Sequence, residues 1–134
     1  MATIDTTNFS VGFDTGGADT TATGTLNFTA AVCGVSPIVA TGDVRLSPDG
    51  STLTVDTSLY TGTGDIHLID NQGGNAVNGM FMGLAEGAAV PNSGGRFITY
   101  THGDGNDVAL VIPEPSSFLM LLTCVGGLMV IRRK

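Results

Sequence analysis

No segment before residue 116 shows the apolar spacing of an amphipathic helix, and turn signals interrupt the chain roughly every eight to twelve residues. A chain punctuated this often must be built from short strands. Polar and apolar residues alternate through Thr7-Asn8-Phe9-Ser10-Val11-Gly12-Phe13 and again over residues 22–28. Residues 36–40 and 43–46 read as further strands, followed by a turn at Ser47-Pro48-Asp49-Gly50, where proline presets φ and glycine tolerates a positive φ. Strands are then expected over residues 51–55, 65–70, 77–81, 96–101 and 107–112.

Among all-β architectures, the twenty glycines, the Gly-Thr-Gly corners and the absence of tryptophan favour a β-solenoid over a β-sandwich. A sandwich of this size usually buries larger aromatic residues. The expected fold is therefore all-β: β-solenoid or β-helix-like terminal rungs, with a β-sandwich as the alternative, followed by one short C-terminal transmembrane helix. Solenoids need several rungs and capped ends, so residues 1–112 read as a piece of a longer solenoid. Residues 1–7 have neither the basic nor the apolar region of a signal peptide, so an exported chain is expected to start upstream or to be a fragment.

Charge divides the chain. Three of the five basic residues are Arg132, Arg133 and Lys134, and residues 1–131 set twelve acids against Arg45 and Arg96, a net charge of −10. Such a body repels phosphate backbones, which excludes nucleic-acid binding. The two cysteines, Cys33 and Cys124, are not expected to pair, because Cys124 lies in the apolar tail.

The tail has three parts. Pro113-Glu114-Pro115 holds the backbone extended, since each proline disfavours α geometry in the residue before it. Residues 116–131 are uncharged and would make a helix of about 24 Å, short of the ~30 Å hydrocarbon core. Arg132, Arg133 and Lys134 would stay cytoplasmic and leave the acidic body outside. In this order the three parts resemble the PEP-CTERM sorting signal of bacteria that make extracellular polysaccharide. The resemblance implies recognition by an exosortase, a membrane-embedded thiol protease that would process the chain near Pro113-Glu114-Pro115.

Residues 79–90 carry a Gly-Leu-x-Glu-Gly pattern at Gly83-Leu84-Ala85-Glu86-Gly87. They precede Phe97-Ile98-Thr99-Tyr100 and Gly103-Asp104-Gly105-Asn106-Asp107-Val108. Over residues 40–112 this order is similar to the closing module of autotransporter-associated β-strand-repeat passengers, with His102 where glycine is more usual. That resemblance implies a repetitive extracellular β architecture without catalytic activity.

Gly103-Asp104-Gly105-Asn106-Asp107 also matches half of a calcium-binding nonapeptide, with Asp104, Asn106 and Asp107 as candidate ligands. A single copy supplies an incomplete shell, so a turn bonded to its own backbone is preferred and no metal site or other cofactor is expected. His67 and His102 are the only histidines, and no His-x-His, Cys-x-x-Cys or Gly-x-Ser-x-Gly spacing occurs. Asp65 and Asp70 fall on opposite faces of their strand. Only Tyr60, Tyr100 and six phenylalanines are available to stack on a sugar.

The expected function is that of a non-enzymatic surface or extracellular-matrix protein sorted by an exosortase, with a calcium-dependent adhesion module as the alternative. Exosortase, the inner membrane as a transient anchor and extracellular polysaccharide are the expected partners. The expected location is the inner membrane with a cytoplasmic C-terminus, then the cell surface or matrix.

Overall fold

The computed structural model describes residues 4–12, 23–30 and 37–113. Among these, ten strands form three sheets. The first circuit of the chain contributes β1 (Ile4–Thr6), β2 (Phe9–Val11) and β3 (Gly24–Thr29), and the second β4 (Ile38–Ala40), β5 (Val44–Leu46) and β6 (Ser51–Asp56). The third contributes β7 (Ile66–Asn71) and β8 (Asn78–Gly79), and β9 (Phe97–His102) and β10 (Asp107–Val111) are the last described strands.

Each strand of the first circuit lies parallel to its counterpart in the second, and β4 and β5 lie parallel to β7 and β8 of the third. The register sets Ile38 beside Ile69, Phe9 beside Val44, Leu26 beside Leu53 and Phe28 beside Val55. Apolar side chains thus stack on apolar ones. Phe28, Ile38, Val44, Leu46, Val55, Leu68 and Ile69 join one buried cluster with Phe81, Ile98, Val108 and Leu110. Each fully buried Val, Leu or Ile of this kind contributes about 1.5–3 kcal/mol of transfer free energy.

Corners stack as well as strands. Asn8 Oδ1 accepts the Asp43 amide at 2.9 Å, and the Asn75 side-chain amide donates to Asp43 Oδ1 at 3.0 Å. A Cβ on Gly73 would collide with the Gly42 carbonyl oxygen. At the third circuit Gly79 is stricter still: it sits at φ 92°, and a Cβ there would run into the Leu46 carbonyl. The turn after β5 forms where expected, closed by Ser51 N–H to Ser47 O at 2.9 Å and Ser51 Oγ to Ser47 O at 2.6 Å.

The solenoid expectation is corrected at the third circuit. The sheets hold five, three and two strands, and the five-stranded sheet runs β1-β4-β7-β10-β9, with β10 antiparallel to both β7 and β9. Regular rungs would have continued in parallel. Instead a tight turn with Gly103 and Gly105 at positive φ folds β9 and β10 into a hairpin, which forces antiparallel pairing. The sandwich alternative fares no better, because the first two circuits pair only in parallel.

The transmembrane helix, and the inner-membrane anchoring and cytoplasmic C-terminus built on it, are likewise withdrawn. No helix occurs among the described residues, and none there is long and apolar enough to cross a membrane. Residues 116–131, to which that helix was assigned, lie outside the described residues, as do Cys33 and Cys124.

Between β8 and β9 the chain pairs with the start of β9 through backbone bonds, Gly87 N–H to Ile98 O and Ile98 N–H to Ala88 O at 2.9 Å, and side chains reinforce it. The Tyr100 hydroxyl donates to Leu84 O at 2.7 Å and accepts from Phe81 N–H at 3.0 Å, while Glu86 Oε2 accepts the Tyr100 amide at 2.8 Å. Burial pushes the Tyr100 hydroxyl up to about 12, against the opposing Phe81 N–H and with help from the Glu86 carboxylate, so it remains protonated and donating at neutral pH. Arg96, also buried, spends its guanidinium on carbonyls. It reaches Gly64 O at 3.1 Å, Gly62 O at 3.2 Å and Ser93 O at 2.9 Å, with its Cζ 4.9 Å from the Tyr60 ring centre.

Gly79→Ala should lower stability by more than about 1 kcal/mol, since it adds both backbone strain and a collision. Gly74→Ala, where a Cβ meets open space, should stay within about 0.5 kcal/mol of wild type. Urea unfolding midpoints of the two variants check this.

Candidate functional site

The hairpin that ends the body also assembles its most chemically concentrated surface. β10 lies between β7 and β9, with Ala109 opposite His67 and Asp107 opposite His102. Side chains two apart on a strand share a face, so Asp107, Ala109 and both histidines occupy one side of the sheet. Val108 and Leu110 point the other way into the core cluster, whereas Ala109 is fully buried outside that cluster. Register shifts beside Val108 and Ala109 mark bulges, and Leu68 and Ile69 are accordingly both buried in sequence.

The His67 and His102 rings meet edge to face, 4.4 Å between centres and 88° between planes. One ligand atom from each of His67, His102 and Asp107 lies within 4.8 Å of the others. His67 is exposed, the His102 side chain is 22% exposed and Asp107 only 9%. Asp65 stands behind this group: its Oδ2 lies 3.1 Å from His102 Nε2, and its Oδ1 accepts the Ile112 amide at 3.4 Å. His102 Nδ1 is buried with no hydrogen-bond partner. Neither histidine carries a sequence spacing that announces a site. They meet only because β10 inserts between their strands.

The candidate calcium residues play three different parts. Asp104 is exposed on the turn. The Asn106 side-chain amide donates to Gly73 O at 2.7 Å and to Asn75 O at 3.5 Å, tying the turn to the corner after β7. Asp107 Oδ1 accepts the buried Asn71 amide at 2.8 Å. Of the sorting motif, Pro113 is exposed beyond the last strand, and Glu114 and Pro115 lie outside the described residues together with Arg132, Arg133 and Lys134.

No family model matches the chain, and no curated protein and no solved structure matches it.

Replacing Asp107 with Ala leaves the buried Asn71 amide without its acceptor and should cost about 1–3 kcal/mol. Asp104→Ala should change stability by less than about 0.5 kcal/mol. Thermal unfolding of the two variants separates the inward role from the outward one.

Proposed function

We propose that this chain is a non-enzymatic, exported surface or extracellular-matrix protein whose C-terminal segment is the substrate of an exosortase. The observation that carries the reading is how the last strand ends. β10 ends at Val111, Ile112 is 41% exposed, and Pro113 follows, also exposed. The Asp65 carboxylate holds the Ile112 amide immediately before the Pro113-Glu114-Pro115 motif. A protease binds its substrate as an extended strand, and the two prolines favour that conformation in a segment that leaves the sheet at an exposed residue.

A passive role for the body is supported by the disposition of its buried hydroxyls. Ser51 Oγ donates to Ser47 O and Met80 O, and Ser93 Oγ bonds Val90 O and Arg96 O, so both brace turns. The acidic, glycine-rich surface suits a hydrated environment such as extracellular polysaccharide, the partner this reading names for the released body.

The C-terminal mass of the protein recovered from its producing cells tests the reading. A chain ending near residues 113–115 and lacking Arg132-Arg133-Lys134 is expected, and Glu114→Ala should restore the full-length mass. Recovery of the intact basic end in the wild-type protein would refute processing.

A further inference from the structure

We infer that His67, His102 and Asp107 form a binding site for a divalent transition-metal ion of the zinc type, with Asp65 as the residue that orients His102. The inference stands on the hairpin geometry alone and is independent of how the tail is handled.

The donor set comes first. Two imidazoles and a carboxylate are the borderline nitrogen and oxygen ligands that Zn2+ selects, whereas calcium takes oxygen almost exclusively. Their ligand atoms already lie within 4.8 Å of one another. Donors around a tetrahedral ion, each ~2.0–2.1 Å from it, stand roughly 3.3 Å apart. Closing the difference falls to the His67 side chain, which is exposed and opposite the small Ala109.

The second observation is the state of the His102 ring. Asp65 Oδ2 lies 3.1 Å from Nε2, and a carboxylate can only accept, so the proton belongs on Nε2. The Nδ1 lone pair is then free, and it is this nitrogen that is buried without a partner. A buried polar atom normally finds a hydrogen bond, and an imidazole whose far nitrogen is held by a carboxylate is the recurrent arrangement of a metal-bound histidine. The third ligand is held in the same manner: Asn71 N–H occupies Asp107 Oδ1 at 2.8 Å and leaves Oδ2 for the ion.

Three protein ligands leave one coordination position for water. The ion would link β7 to the β9–β10 hairpin across the face where the parallel circuits give way to antiparallel strands. Asp65, which also accepts the Ile112 amide, is the residue through which that site touches the start of the tail.

Isothermal titration of ZnCl2 into the untagged, chelator-stripped full chain, repeated with Co2+ to record the ligand-field spectrum, tests the inference. About one ion per chain is expected, with a tetrahedral Co2+ spectrum. Asp65→Asn should weaken binding about 10–100-fold, and His67→Ala, at an exposed position, should abolish it while leaving the metal-free circular dichroism unchanged. A wild-type chain that takes up no Zn2+ overturns the site. So does an affinity that survives His67→Ala, as a thiolate site at Cys33 or Cys124 would give, or one that is unchanged in Asp65→Asn.

Discussion

Backbone hydrogen bonding between successive circuits is the constraint on which everything else rests. Parallel partners cannot be joined by a tight turn, so each strand must wait for the chain to travel round before its amides and carbonyls are paired. Until β4 lies on β1 and β5 on β2, the short strands of the first circuit have no ladder at all. Three-residue strands are viable here because corners are satisfied at the same time, as when Asn8 receives the Asp43 amide and Asp43 receives the Asn75 side chain. Glycine is the consequence: Gly42 at a corner and Gly79 at the end of β8 lie where backbones of adjacent circuits approach too closely for a Cβ.

Where that ladder ends, side chains reinforce the few backbone bonds that remain. Among the described residues the sheet of β3 and β6 gains no third strand, and the stretch between β8 and β9 carries a single isolated bridge, Ala89 to Phe97. Arg96 gathers the Gly62, Gly64 and Ser93 carbonyls there, and Tyr100 ties Phe81 and Leu84 to β9. The hairpin then presents its strands on the edge of the largest sheet, and the same reversal that stops the parallel winding brings His67 and His102 to Asp107. Structural closure and the proposed metal site are two results of one strand insertion.

Much of this was legible in local sequence. The alternation at residues 51–55 and 65–70 lies within one residue of β6 and β7, and the Ser47-Pro48-Asp49-Gly50 turn forms. The strand expected over residues 7–13 holds β2 at Phe9–Val11, but its first two residues form a corner after β1; without a glycine or proline at Thr7-Asn8, alternation alone hides the bend. The strand expected over 77–81 shrinks to Asn78–Gly79, since the Phe81 amide goes to the Tyr100 hydroxyl and not to a ladder. The histidine cluster was illegible for a stricter reason. Its members are brought together by the register of β10 with two separate strands, and a bulge on each side sets which residues face each other. No spacing along the chain encodes that.

The parallel register between circuits can be read directly by nuclear Overhauser contacts between β3 and β6. The structure predicts cross-strand contacts that pair Thr25 with Thr52 and Asn27 with Thr54, in a ladder whose numbering rises on both strands. Contacts whose numbering rises on one strand and falls on the other, or none between these segments, would contradict the winding from which the fold and its surface are derived.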